Sequence, residues 1–293
     1  MMLWSAHALE DNSQVMPPVS PSLVAEDRLG ERSAPASHVN LGEALARNWV
    51  EFWYQPKIDL RRKQLVGVEA FARARHPERG VLMPDAFISG AADSSLVRLS
   101  ELALTTALQA GLDFAMLGIH LPMTINVPVR VLRQLDVVAI VQAYKARFTK
   151  WPGLLIDIKE GEIVEQFDLV EEITNRLGHL GVKLAIDEFG RDYSAVMRLT
   201  GLPCAELKLD RSFVTGCGND PANAPLCKAV IELAHSFGSI AVGVGIERAS
   251  DALALVNMGC DYGQGFLLGQ PMPQDRFIAL LRQRANAHSR HLS

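Results

Sequence analysis

No basic excess marks this 293-residue chain: 29 Lys and Arg stand against 33 Asp and Glu, a formal net charge of −4. A nucleic-acid polymer calls for a basic footprint that neutralises its phosphates, so none is expected as a partner; a local site for a small phosphate-bearing ligand stays open. Cysteine is scarce, with only Cys204, Cys217, Cys227 and Cys260. None forms a C-x-x-C pair or a zinc-type spacing, and the four read as reduced, mostly buried thiols of a cytoplasmic protein. The histidines are scattered, without H-E-x-x-H, which argues against a His-based metal site. No apolar run approaches the roughly 18–20 residues of a membrane span. The start, MMLWSAHALEDN, lacks the basic region and long apolar core of a signal peptide. G-x-G-x-x-G and P-loop patterns are missing as well, which removes motif support for an open dinucleotide- or NTP-binding sheet.

What is present is a rhythm. Residues 1–40 are rich in Pro, Ser and mixed charge without a sustained period, and read as a disordered arm or linker, simple padding or a lead to a sensory module. From Asn40, a fitting N-cap, LGEALARNW is helix-like. EFWYQPKIDL and LVGVEAFARA follow as strands. Then come a short helix at Pro84 and a long one over 97–111. The strands PMTINVP, LLIDIKEG, VKLAIDEFG, AELKLDRS, SIAVGVGIE and YGQGFLLG are followed in turn by helical stretches at 129–148, 161–180, Ser194–Thr200, 223–238, Ala249–Met258 and 274–284. Repeated β-then-α units with near-continuous apolar strands imply a parallel sheet. Eight or so units within about 245 residues imply a closed (β/α)8 TIM-type barrel over residues 41–283, an α/β fold. Residues 284–293 are expected to fray.

In such barrels the chemistry sits at the C-terminal ends of the strands. Those ends carry Glu69, Asn126, Asp157, Asp187-Glu188, Lys208 with Asp210, Glu247 and Gln264. A single acid at a strand end is ordinary surface, but the same residue class at six or seven successive ends is a site. Carboxylates with one amide make an all-oxygen donor set, suited to Mg²⁺, Mn²⁺ or Ca²⁺ rather than zinc. Clustered acids repel unless cations neutralise them. Two cations can clamp the attacking and leaving oxygens of a phosphodiester. Lys208 can hold a phosphate or orient a water, or simply snorkel from its strand end.

The motifs resemble the EAL domain, the bacterial cyclic-di-GMP phosphodiesterase family. Tyr54-Gln55-Pro56 corresponds to Y-Q-P, and Glu69-Ala70-Phe71-Ala72-Arg73-Ala74-Arg75-His76-Pro77 to E-A-L-x-R-W-x-H-P. Asp157-Ile158-Lys159-Glu160 corresponds to E-I-T-E, Asp187-Glu188-Phe189-Gly190 to D-D-F-G, and Leu207-Lys208-Leu209-Asp210 to L-K-I-D. Val244-Gly245-Ile246-Glu247 stands for E-G-V-E, and the run from Gly259 to Pro273 for G-C-D-x-x-Q-G-Y…P-x-P. The resemblance implies a barrel that binds cyclic-di-GMP and, in active members, cuts it to pGpG with two Mg²⁺ or Mn²⁺ ions. It further implies that Glu69, Asn126, Asp157 and Asp187 hold metal, with Glu188 at the second ion. Lys208 would support the attacking water and share the catalytic role with Glu69. Gln55, Phe71, Arg73, Asp210, Glu247 and Gln264 would line the nucleotide site, and Glu160 would brace the loop carrying Asp187 and Glu188. A homodimer is a further family expectation, as is a protein partner or upstream sensory module.

Departures from the pattern are unequal. Phe71 replaces Leu beside the ligand, and Ala74 replaces Trp. Asp157 and Glu188 keep their charge but shift the carboxylate by one methylene, about 1.5 Å; misplacement of about 1 Å can cost on the order of 100-fold in rate. The loop Phe189-Gly190-Arg191-Asp192-Tyr193-Ser194 gains two charges and loses a glycine. At Val244 the family has a glutamate. Valine neither binds a cation nor accepts a proton, and losing a general base costs roughly 10²–10⁴-fold. Glu247, three positions on in an extended strand, would face away. The expectation is a degenerate member that binds cyclic-di-GMP with weak or absent hydrolysis. The alternatives are an active metal-dependent phosphodiesterase and a nucleotide-independent protein-interaction domain.

Overall fold

The computed structural model describes residues 39–190 and 201–290, with side chains through residue 283. The expected Ser194–Thr200 helix, the substituted loop residues from Arg191 to Ser194 and nearly all of the N-terminal arm lie outside the described residues.

Among the described residues ten strands form one sheet: β1 (Val50–Asp59), β2 (Leu65–His76), β3 (Gly80–Leu82), β4 (Met123–Asn126), β5 (Leu154–Lys159), β6 (Val182–Phe189), β7 (Cys204–Leu209), β8 (Ile240–Gly243), β9 (Tyr262–Gly263) and β10 (Met272–Pro273). The order β1-β9-β8-β7-β6-β5-β4-β2 closes on itself through the β1–β2 pairing, which makes an eight-stranded α/β barrel. β3 and β10 extend the hairpin outside the closed ring.

The expected uniform parallel sheet requires one correction. β4 to β9 run parallel with β2, but β1 is antiparallel to both β2 and β9. The reason is chain length. Only residues 60–64 join β1 to β2, and a parallel return needs a crossover of a dozen residues or more. The hairpin also carries β2 beyond the barrel. β2 stays paired with β4 only from Val68 to Ala70, while its remainder pairs with β1 and β3. Glu69 is therefore mid-strand in β2 yet at the rim of the barrel proper.

Helix boundaries follow local chemistry. Asn40 caps the helix Leu41–Ala46 by accepting from the Gly42 N–H at 2.7 Å. The stretch 129–148 splits into a 3₁₀ turn, Val129–Val131, and a helix, Val137–Lys145, whose N-cap Asp136 accepts from Ala139 N. Residues 160–178 likewise form two helices, broken at Gln166. The last helix, Gln274–Arg290, runs past residue 283.

Helix Asp93–Ala115 buries Leu96, Leu104, Leu108 and Phe114 against β2, β4 and β1. Outside β1, Tyr54 packs on Phe114 (centroids 5.9 Å apart) and Phe277 (6.3 Å), which ties the last helix to the barrel. All four cysteines are free thiols; Cys217, Cys227 and Cys260 are buried and Cys204 is half-buried. Among the described residues no helix is long and apolar enough to cross a membrane.

Candidate functional site

Strand alternation sends every second side chain into the barrel. Parallel register then sets polar residues of neighbouring strand ends side by side: Asn126 is opposite Asp157, and Lys159 is opposite Asp187. At the centre is Lys208, fully buried on β7. Its Nζ donates to Glu69 Oε2 at 2.7 Å and to Asp157 Oδ2. Glu69 accepts also from Asn126 Nδ2 at 3.0 Å and from Gln264 Nε2 at 3.1 Å. Residues from β4, β7 and the segment after β9 thus meet around one β2 carboxylate, with β5 joined through Lys208, although up to 195 positions separate them.

The electrostatics divide the acids. Burial raises the Glu69 carboxyl, but Lys208, then Lys57 and Asn126, pull it below the ordinary value. Asp157 is pushed well above its ordinary value by burial, with Glu69 and Asp187 adding to the effect against Lys208. Burial raises Asp187 too. Burial opposes the charge on Lys208, yet Asp157, Glu69 and Asp187 together lift it well above the lysine range. One ammonium shared by buried acids satisfies Glu69, which has two further donors, and leaves Asp157 under-compensated. Asp157 Oδ1 is buried without a hydrogen-bond partner. A proton or a cation on that oxygen would relieve the cluster.

A cavity of about 370 Å³ opens over this cluster. Gln55, Glu69, Phe71, Arg73, Asp187, Lys208, Val244, Glu247 and Gln264 all line it. Gln55 donates to the Gly269 carbonyl at 2.9 Å. Arg73 donates to the Ala72 carbonyl and lies between the rings of Trp53 and Phe71, 5.5 and 5.9 Å from their centroids. Its Nε is buried without a partner. A cavity of about 600 Å³ lies at the other end of the barrel, lined by the first residues of β5 to β9. It is larger but gathers no acid cluster, and barrel chemistry belongs to the C-terminal face.

Two expected residues are placed differently, while Glu247 lines the cavity by a route that strand geometry does not provide. Glu188, at φ 55°, gives its carboxylate to Lys159 Nζ at 2.5 Å on the outer rim. Asp210 is the N-cap of the turn Arg211–Val214 and accepts from Ser212 N at 2.8 Å, and it does not line the cavity. Glu247 does not face away as strand geometry implied. β8 ends at Gly243, and Gly245 takes φ 74°, so Val244 and Glu247 line the same cavity. Glu160, in turn, accepts from the Gly190 N–H at 3.0 Å, next to the Asp187–Glu188 pair.

Further residues outside the expected site set also line the cavity. Met83, Asp85 and Phe266 line the cavity from connecting segments. Arg211 also lines it, and its position directly after Lys208-Leu209-Asp210 would have qualified it by the strand-end rule. Below the acid layer, Lys57 and Glu206 form a buried ion pair, with Thr124 beside them. Among the described residues no group of three or more His, Cys, Asp or Glu side chains is arranged as a ready metal cage.

These features define a TIM-type α/β-barrel domain with a mouth built from buried acids around one lysine. The EAL domain model matches residues 38–271, and the chain belongs to the EAL domain family. MucR of Pseudomonas aeruginosa, a bifunctional diguanylate cyclase/cyclic di-GMP phosphodiesterase, is 31% identical over 247 residues, which is 82% of this chain and 36% of MucR. The cyclic di-GMP phosphodiesterase RocR of the same species is 31% identical over 230 residues, 78% of this chain and 59% of RocR. The solved structure of the PaMucR phosphodiesterase in complex with c-di-GMP superposes with a TM-score of 0.73 at 29% identity, covering 81% of this chain and 97% of that one. The chain thus spans less than two thirds of the length of these curated relatives.

Proposed function

We propose that this chain binds cyclic-di-GMP at the barrel mouth and hydrolyses it slowly or not at all. The observation that carries the reading is Val244. It lines the cavity beside Glu69 and Lys208, at the position where the family pattern has an acid. An isopropyl group there neither activates water nor binds a cation, and the removal of a general base costs roughly 10²–10⁴-fold. Nucleotide binding is supported by Gln55, Arg73, Phe71 and Gln264 around the cavity and by the likeness to a structure that holds c-di-GMP. In this reading the barrel relays nucleotide occupancy to a protein partner or to an upstream sensory module.

The residues present fit one hard cation better than two. Glu69, Asn126, Asp157 and Asp187 would hold a Mg²⁺ or Mn²⁺, since the set is all oxygen and Asp157 Oδ1 is buried without a partner. A second cation finds less: Glu188 is engaged with Lys159, and Val244 offers no oxygen. A bound cation supplies phosphoryl polarisation and a more acidic water. This chain's own residues contribute orientation. Asn126 and Gln264 fix the Glu69 carboxylate, and Glu160 holds the Gly190 backbone. Lys208 keeps a positive charge at the floor of the cavity.

A residual metal-dependent phosphodiesterase is the second reading, favoured by the meeting of Glu69, Asn126, Asp157 and Lys208 in one hydrogen-bonded cluster. Calorimetric binding of cyclic-di-GMP and pGpG formation with Mg²⁺ or Mn²⁺, on one preparation, separate the two. Micromolar binding with turnover at or near background is expected. Robust turnover overturns the first reading, and absence of binding overturns both in favour of a nucleotide-independent interaction domain. Val244→Glu is expected to raise turnover.

A further inference from the structure

We propose that Arg211 is a phosphate-binding residue of this mouth, held in reserve by Glu247 and released when an anionic ligand enters. The inference rests on the cyclic-di-GMP reading above and adds a residue and an exchange step to it. Among the described residues three cations line the cavity, and they are not equivalent. Lys208 is buried and bonded to two carboxylates. Arg73 is buried between two aromatic rings. Arg211 keeps 63% of its side chain exposed, and its guanidinium Nη2 meets Glu247 Oε1 at 2.6 Å, a carboxylate itself 44% exposed. An exposed ion pair of this kind is weak and easily exchanged, whereas a guanidinium binds phosphate through paired, charge-assisted hydrogen bonds.

The backbone is built for this placement. Gly245 sits at φ 74°, and a Cβ there would stand 2.4 Å from Arg211 Cγ. The Arg211 stem therefore lies directly on the Gly245 backbone, between Val244 and Glu247. The substitution at 244 matters here in a second way. An acid at that position would offer the guanidinium a second carboxylate next to the first. Valine leaves Glu247 as its single acidic neighbour in the 244–247 segment. The same change that removes an acid from the cavity thus leaves Arg211 freer to turn to the phosphodiester of a cyclic dinucleotide.

The competing assignment makes Glu247 itself a nucleotide contact, and the two differ in sign. The test is calorimetric titration of cyclic-di-GMP in EDTA-containing buffer against the full chain, Arg211→Ala, Arg211→Lys and Glu247→Gln, at two salt concentrations. Arg211→Ala is expected to weaken binding about 10- to 100-fold and to flatten the salt dependence. Arg211→Lys should recover part of the loss, and Glu247→Gln should tighten binding. Thermal unfolding of all three should match that of the parent, since both side chains are exposed. Binding by the parent with Arg211→Ala unchanged overturns this inference alone. Weakening by Glu247→Gln overturns the exchange and makes Glu247 a ligand contact. No binding by the parent overturns the inference together with the reading beneath it.

Discussion

Replacing Lys208 with Met should expose how the acid cluster is balanced. The ammonium is fully buried and serves Glu69 at 2.7 Å and Asp157. Methionine fills most of the same volume, so packing changes little and the charge is the main loss. Removing one partner of a buried ion pair typically costs about 3–5 kcal/mol, because the other is left uncompensated. The cost falls unevenly. Glu69 keeps the amide donors of Asn126 and Gln264, while Asp157 keeps an oxygen that already lacks a partner. The total stability of a domain is roughly 5–15 kcal/mol, so the variant should still fold. Urea unfolding followed by tryptophan fluorescence should show a lower midpoint at an unchanged m-value. The double variant Lys208→Met/Asp157→Asn should be more stable than Lys208→Met, because it removes the stranded acid. If Lys208→Met falls within about 1 kcal/mol of the parent, or the double variant is no better than the single, the buried triad does not carry the charge balance described here.

Two further perturbations test the frame around the mouth. Phe277→Ala, in the fully buried contact of the last helix with Tyr54 and Phe114, should cost about 3–5 kcal/mol in chemical denaturation. An effect below about 1 kcal/mol would mean that this helix is not anchored to the barrel. Asp251 is buried and accepts from the backbone N–H groups of Gly216 and Gly218, both at 3.1 Å. Asp251→Ala should lower stability by about 1–3 kcal/mol, with faster hydrogen exchange at Gly216 and Gly218, and Asp251→Asn should restore part of both.

Much of the site is legible in the sequence. Glu69, Asn126, Asp157, Asp187, Lys208 and Gln264 share one property, a polar side chain near the C-terminal end of an apolar strand, and parallel register brings such residues together. Asp210 and Glu188 share that property and still lie elsewhere. Asp210 is drawn into capping the turn that follows it, and Glu188 reaches the ammonium of Lys159 across the rim. Local hydrogen-bond competition of this kind leaves no periodic trace. Strand geometry alone would turn Glu247 away from Val244, but the strand stops at Gly243. The left-handed Gly245 ends it, and only the backbone shows that Val244 and Glu247 share a cavity.

By itself the sequence determined the alternation of strands and helices, the barrel class and the identity of the residues at the strand ends, because hydrophobic period and motif order are local properties. It also determined that position 244 carries no acid. The tertiary structure alone decided the antiparallel entry of β1, the sharing of one lysine between Glu69 and Asp157, and the Arg211–Glu247 pair across the mouth. These depend on which distant residues a closed barrel brings within a few ångströms, and on how few partners a buried charge then has to choose from.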